Sequence, residues 1–182
     1  MIVAALIAAC LAVVLCLLDL LLTVGVIRRL KEHTELIGNL STRGMPGTTV
    51  LPPGERIGAF SAVTEDGDTV GSGALADPVL IAVFSPGCGA CAEQLPRFLE
   101  RAGALPGGRG SVLAVLAGDR AQVAEEAARL SPVARVVVDG PQGTVTDALG
   151  VLAFPAFLRV DGTGRVLSSG RLATDLDAPV AA

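Results

Sequence analysis

Two cysteines separated by two residues are the part of this sequence best suited to chemistry. The motif Cys88-Gly89-Ala90-Cys91 directly follows a predicted strand and opens a predicted helix. A thiolate is the reactive form of cysteine, and the start of a helix stabilises it through unpaired N–H groups and the positive end of the helix dipole. The spacing puts Cys91 one turn further along the same side of that helix. We therefore predict that Cys88 is a nucleophile and that Cys91 resolves the mixed disulfide formed on it.

The same pair of cysteines could instead be half of a zinc site or a structural crosslink. Zinc normally takes four ligands, but no second cysteine pair follows, and His33, outside the predicted domain, is the only histidine. A crosslink over two intervening residues closes too small a loop to add much stability. Redox chemistry is the interpretation we adopt, and it predicts neither a metal nor a cofactor. Two thiolates also suit Cu(I), so a non-enzymatic copper or metallochaperone accessory module is an alternative.

The segments around the cysteines alternate between strands and helices. Continuous apolar runs predict buried strands, and helical spacing of apolar residues predicts helices. The predicted elements are a lead-in hairpin at 59–64 and 69–70, strands at 79–84, 112–117 and 136–138, helices at 88–102, 121–130 and 144–149, and a final hairpin at 157–160 and 165–168. This alternation predicts an α/β fold with a mainly parallel sheet, helices on its faces and the strand before the cysteines at its centre.

The first 27 residues are almost entirely apolar. A helix from Ile2 to Ile27 would be roughly 39 Å long, which is enough to cross a bilayer. The basic start and cleavage site of a signal peptide are not evident. We predict a single-pass transmembrane helix at 1–27, a juxtamembrane helix at 28–40, a linker rich in proline and glycine at 41–54, and a folded domain at 55–182.

Asp19 interrupts the predicted transmembrane span. An ionisable side chain is costly in lipid and is by default a functional hypothesis. One interpretation is that Asp19, with Thr23 one turn later, contacts an integral-membrane partner that delivers electrons. The other is a carboxyl group that is protonated or reached by water.

Composition excludes nucleic acid as a partner. The net charge is -4, aromatic residues make up only 3%, and the chain has no Trp or Tyr. Binding to phosphate backbones needs a basic surface, and binding to single strands uses stacking aromatic side chains. The use of Ala, Gly and Arg suggests a bacterial protein.

Two prolines add to the cysteine motif a resemblance that covers about residues 55–170. Pro96 follows the second cysteine by five residues, and Pro155 precedes the last predicted hairpin. In these features the sequence resembles the thioredoxin-like thiol-disulfide oxidoreductases, and within them the membrane-anchored TlpA, ResA and MauD-type proteins. The resemblance implies a thioredoxin-like mixed sheet with flanking helices, a cis bond before Pro155 and substrate binding at Phe154 and Pro155. It also implies a protein thiol or disulfide as the substrate.

Several residues depart from the pattern of that family. Gln94 occupies a position where TlpA- and ResA-like proteins commonly have Glu, and a glutamine cannot take a proton from the second cysteine. This brings the chain closer to MauD-like members. Gly87 replaces an aromatic residue often found before the first cysteine, and Phe154 replaces a small one before the proline. Few residues follow Gly170, so the last helix of the family is expected to be short or absent.

A peroxiredoxin-like antioxidant peroxidase is the second enzymatic hypothesis, because peroxiredoxins share this fold. Their pattern P-x-x-x-T-x-x-C is not met, since Ile81 and Ser85 occupy the Pro and Thr positions before Cys88. We therefore expect any reduction of peroxide by the cysteine pair to be incidental.

Two signals disagree about the side of the membrane on which the domain lies. Arg28, Arg29 and Lys31 follow the predicted span, and the positive-inside rule puts them, and the domain, in the cytoplasm. Disulfide substrates are found mainly outside it. We predict a membrane protein with an extracytoplasmic catalytic domain and keep the cytoplasmic face as the alternative.

Overall fold

A computed structural model gives the fold of the chain and describes residues 49–140 and 143–177. The strands are β1 (Ser61–Val63), β2 (Thr69–Gly71), β3 (Val79–Phe84), β4 (Val112–Ala117), β5 (Arg135–Asp139), β6 (Ala156–Val160) and β7 (Val166–Gly170). The helices are α1 (Gly89–Gly103), α2 (Ala124–Leu130) and α3 (Thr144–Ala148), with 3-10 helices at Gly108–Ser111 and Ala173–Asp177.

The predictions for the N-terminal region lie outside these residues. They are the transmembrane helix at 1–27 with Asp19, the juxtamembrane helix at 28–40 and most of the linker. Within the two described ranges, no helix combines the length and the apolar character needed to cross a membrane.

A five-stranded mixed sheet with the order β5-β4-β3-β6-β7 forms the centre of the domain. β3 pairs in parallel with β4, and β4 in parallel with β5, whereas β6 and β7 are antiparallel to their neighbours. β1 and β2 form a separate two-stranded hairpin. All six residues of β3 are buried, as expected for a strand covered on both faces. The prediction that β3 is the central strand is confirmed, and so is the thioredoxin-like α/β fold.

The alternation of side chains along β3 builds two core layers. Leu80, Ala82 and Phe84 point into the first core layer, which α1, α2 and the last 3-10 helix cover. Val79, Ile81 and Val83 point into the second core layer, which α3 and the β1–β2 hairpin cover. The helix that begins at the cysteines is therefore packed directly on the central strand.

Three phenylalanines hold α1 on the sheet. The ring centroids of Phe84, Phe98 and Phe157 lie 5.6 to 5.8 Å apart, and all three rings are buried. Aromatic pairs at these separations add to the free energy gained by burial. The cluster fixes the middle of α1, at Phe98, against the carboxyl end of β3.

The second predicted helix begins later in the structure than in the sequence analysis. It was expected at 121–130, but α2 starts at Ala124. The preceding residues form a turn in which the N–H groups of Gln122 and Val123 donate to the Asp119 carbonyl. Val123 is buried in the first core layer, which explains the apolar periodicity that extended the prediction.

The folded unit also includes the last residues of the predicted linker. Val50 is buried in the second core layer, and the Thr49 carbonyl accepts a hydrogen bond from Leu152 N–H. Ser169 Oγ donates to the Leu51 carbonyl at 2.7 Å. Prolines and glycines in 41–54 break any helix, but the apolar residues between them still pack on the domain.

Candidate active site

Cys88 and Cys91 form a disulfide at the start of α1, with their Cα atoms 5.1 Å apart. Cys88 is the N-cap residue in an extended conformation, and its Sγ accepts a hydrogen bond of 3.1 Å from Cys91 N–H. The residue before it, Gly87, has a φ of +70°, a left-handed conformation that favours glycine. This backbone turn gives a physical reason for glycine at the position where the family often has an aromatic residue.

The two sulfur-bearing residues differ in exposure. Cys88 is half-buried, whereas Cys91 is 5% exposed and belongs to the first core layer. Cys88 is therefore the cysteine that an incoming group can reach. This asymmetry fits the predicted roles of nucleophile and resolving thiol, which stay predictions.

A cavity of about 350 Å³ opens beside the disulfide, between α1 and α2. Its walls are mostly apolar, and both cysteines line it. Glu126 and Arg129 of α2 also line it, and neither forms an ion pair with another described residue. The full lining is Phe84, Ser85, Pro86, Gly87, Cys88, Gly89, Cys91, Ala92, Leu95, Leu116, Val123, Glu126 and Arg129. We call this the disulfide cavity.

The Phe154–Pro155 bond is cis, as the resemblance implied. Pro155 is buried and Phe154 is half-buried in the turn before β6. Phe154 packs against both core layers, including the first, on which Cys88 also packs. Neither Phe154 nor Pro155 lines the disulfide cavity. The two predicted substrate-binding residues therefore lie at the core beneath the cysteines and do not border the disulfide cavity.

Two residues that sequence reasoning did not assign to the site connect its parts. Gln94 is 8% exposed, and its Oε1 accepts a hydrogen bond of 3.1 Å from Ala173 N–H. Arg171 Nη2 donates to the Phe154 carbonyl at 2.8 Å. The identity of Gln94 shows that it cannot take a proton, but no pattern in the sequence indicates its acceptor role. Arg171 lies in a short tail without any periodic pattern, so no sequence signal pointed to it.

Leu152 is another feature that the sequence did not reveal. Its side chain is 82% exposed two residues before Phe154, and it is among the few large apolar side chains exposed in the described residues.

Among residues 49–140 and 143–177, no group of three or more His, Cys, Asp or Glu side chains could hold a metal ion.

The sequence profile of the redoxin family matches residues 52–180. The fold is similar to the thioredoxin domain of a thiol-disulfide oxidoreductase from Bacteroides vulgatus, at 20% identity and a TM-score of 0.55, over 69% of this chain and 93% of that chain. A protein described as the thiol:disulfide interchange protein DsbE from Chlorobium tepidum is 25% identical, with a TM-score of 0.51, over 66% and 86%. A thio-disulfide isomerase from Thermus thermophilus is 20% identical, with a TM-score of 0.54, over 66% and 87%. No curated protein matches the sequence significantly.

Proposed function

We propose that this chain, which belongs to the redoxin family and is a thioredoxin-like thiol-disulfide oxidoreductase, exchanges disulfides with protein substrates through a mixed disulfide on Cys88. The observation that carries the proposal is the contact between Cys91 N–H and Cys88 Sγ at the start of α1. In the reduced protein this donor and the helix dipole would stabilise negative charge on the sulfur that solvent reaches.

The proposed exchange transfers two electrons in two steps. The Cys88 thiolate attacks one sulfur of a substrate disulfide, which forms a mixed disulfide and releases one substrate thiolate. The Cys91 thiolate then attacks Cys88 Sγ, which forms the Cys88–Cys91 disulfide and releases the second substrate thiolate. The substrate is reduced and the protein is oxidised to the disulfide form that the structure contains. The reverse sequence oxidises a substrate dithiol.

Burial of Cys91 supports the order of these steps. Because Cys91 is 5% exposed and Cys88 is half-buried, a protein substrate meets Cys88 first. Cys91 needs only to reach its neighbour one turn away, a distance that the existing disulfide already spans. The proposed nucleophile is therefore the thiol that solvent reaches, and the proposed resolving thiol is the buried one.

Trapping the mixed disulfide tests the proposal. With Cys91→Ser, a substrate protein should remain covalently attached to Cys88 and be released by dithiothreitol, because the resolving thiol is missing. Cys88→Ser is the matched control and should form no such adduct. Mass spectrometry of both variants, incubated with oxidised insulin as the probe, reads the result. Equal adducts on the two variants, or none on either, would contradict the proposal.

We further propose that a transmembrane helix at 1–27 anchors the domain and that the domain acts on the extracytoplasmic side. The support is the length of the apolar run and the usual location of disulfide substrates. The basic residues after the run argue for the cytoplasm, which is the alternative location of the domain. The two locations predict different results when thiols are labelled in intact cells. In the proposed arrangement Asp19 lies within the anchor, and the two alternatives for it are contact with an integral-membrane electron donor and a carboxyl group that is protonated or reached by water.

Thiol labelling in intact cells distinguishes the two sides of the membrane. A membrane-impermeant maleimide should label Cys88 only after mild reduction if the oxidised pair faces outward. Labelling that requires cell lysis would place the domain in the cytoplasm and contradict the location, while leaving the exchange chemistry untouched. A Cys88→Ser chain controls for labelling at other cysteines.

A further inference from the structure

The last described residues, 171–177, lie across both parts of the candidate site. We call this segment the C-terminal strap. Its 3-10 helix is capped by Asp175, whose Oδ2 accepts hydrogen bonds from the N–H groups of Arg171 and Leu172 at 2.9 and 2.8 Å. Ala173 and Leu176 are each 2% exposed and pack in the first core layer. The strap therefore has a fixed conformation and a fixed place on the domain.

Through Ala173, the strap is bound to the helix that carries the cysteines. Gln94 lies on α1 one turn after Cys91, and its Oε1 accepts the Ala173 N–H. Both groups are buried, so this hydrogen bond is protected from competition with water. A glutamine keeps this acceptor at every pH.

Through its first residue, Arg171, the strap is also bound to the turn before β6. Arg171 Nη2 donates to the carbonyl oxygen of Phe154, the residue that precedes the cis peptide bond. A carbonyl oxygen can accept two hydrogen bonds, so the Phe154 carbonyl can accept a second one from another donor.

The guanidinium of Arg171 is only partly satisfied at this position, which costs folding free energy. Its Nε is buried without a hydrogen-bond partner. No carboxylate of the described residues lies within ion-pair distance of it. Burying part of a charged group without satisfying it lowers the free energy of unfolding. The hydrogen bond to the Phe154 carbonyl is the side-chain contact that this arginine gains in return.

We infer that Arg171 is a positioning residue, which fixes the Phe154–Pro155 turn relative to Cys88 so that a protein substrate can be held while its disulfide is attacked. The inference rests on the proposed function and on the family resemblance, which implies that this turn receives the substrate chain. Gln94 anchors the same strap to α1, so the strap joins the helix that does the chemistry to the turn that binds the substrate. A small disulfide does not need the turn and should not depend on Arg171.

The test compares a protein probe with a small probe in the full chain in detergent micelles. Insulin is the protein disulfide, glutathione disulfide is the small one, and dithiothreitol supplies electrons. Arg171→Gln should raise KM for insulin about tenfold, the effect of losing one hydrogen bond from a charged donor, with kcat little changed. The rate with glutathione disulfide should stay within about twofold of the wild type. Arg171→Lys, which can still donate to Phe154, should recover part of the loss.

Arg159→Gln is the matched control, because it removes the same charge from an exposed position on β6. If Arg171→Gln and Arg159→Gln behave alike, or if both probes lose activity equally, the inference is overturned. A wild-type chain inactive with both probes overturns the proposed function itself. If Arg171→Gln does not fold, Gln94→Ala releases the strap from α1 and must give the same rise in KM for insulin, or the inference fails.

Discussion

The two ends of α1 open onto cavities of similar size with different chemistry. The disulfide cavity at the first turns has a volume of about 350 Å³ and contains both cysteines. The cavity at the far end has about 400 Å³ and is lined by Arg101, Leu105 and Arg159, among others, with no cysteine. The larger of these two cavities thus lacks a thiol, and size alone would have selected the wrong end. What distinguishes the two ends is the direction of the helix, because only its first turn offers free N–H groups to a thiolate.

At the far end, one charged side chain near the cavity holds separate parts of the chain together. Arg109, in the 3-10 helix that borders the far cavity, donates through Nε to the carbonyls of Ser131 and Ala134 at 2.7 and 2.9 Å. Its guanidinium also pairs with Asp66 in the β1–β2 turn. At the disulfide end, Arg129 forms no such pair with a described residue. Arg109 near the far end thus has a structural role, whereas Arg129 at the disulfide end is available for another partner.

The largest expected effect is a difference in stability between two identical substitutions at the two ends of α1. Leu95→Ala removes a side chain that is 3% exposed under the disulfide cavity, and should lower the free energy of unfolding by about 3 kcal/mol. Leu105→Ala, at a half-buried position beside the far cavity, should cost about 1 kcal/mol. Urea unfolding of both variants measures the difference. Equal losses would mean that the core is packed alike at the two ends.

The second prediction concerns the two arginines. Arg109→Ala removes hydrogen bonds from a charged donor to two carbonyls and a carboxylate, so it should cost about 2 kcal/mol of unfolding free energy. Arg129→Ala should change stability by less than about 0.5 kcal/mol, because an exposed side chain without a partner contributes little. Thermal unfolding compares them, and an Arg129 variant as unstable as the Arg109 variant would contradict the assignment of roles.

Sequence reasoning located the reactive end of α1 because the signals there are local. The continuous apolar runs predicted the first and last residues of β3 and β4 correctly. A strand that is buried on both faces is apolar at every position, so its ends are clear in the sequence. The cysteine motif followed directly from the end of β3. The start of α2 was missed because Val123 belongs to the apolar stripe but lies in the preceding turn.

The contacts that join the parts of the site could not be predicted in this way. Gln94 and Ala173 are 79 residues apart, and Arg171 and Phe154 are 17 apart. Such hydrogen bonds depend on how elements pack, and no periodic pattern records them. The cis bond at Pro155 followed only from the family resemblance, since sequence permits either isomer before a proline.

A third prediction tests which cavity a protein substrate needs. Ala92→Trp places an indole at an exposed position on the wall of the disulfide cavity, and should slow the reduction of insulin about tenfold by filling the space beside Cys88. Arg159→Trp does the same at the far cavity and should change the rate by less than about twofold. Initial rates of insulin reduction measure both. A slower Arg159 variant would show that the far cavity takes part in the exchange.

The smallest expected effect comes from a carboxyl group in the turn between β6 and β7. The pKa of Asp161 is lowered below its ordinary value of 3.8 because its Oδ1 accepts hydrogen bonds from Arg165 N–H and from the hydroxyl and N–H of Thr163. A carboxyl group whose pKa is lower in the folded state stabilises the fold above its unfolded pKa. That contribution disappears as the pH falls through the folded pKa.

Asp161→Asn should therefore remove a part of the acid sensitivity without altering exchange at the cysteines. Between pH 5 and values below about pH 4, the wild type should lose slightly more unfolding free energy than the variant, because only the wild type protonates this group. Asp119, a surface carboxyl at the start of the turn before α2, provides the matched Asp119→Asn control. An identical pH profile for wild type and Asp161→Asn would show that the turn keeps its hydrogen bonds in the unfolded chain or gains nothing from them. Either result leaves the thiol chemistry untouched, since the titrating turn belongs to the far end, where Gly162 lies against Asp77 of the far cavity.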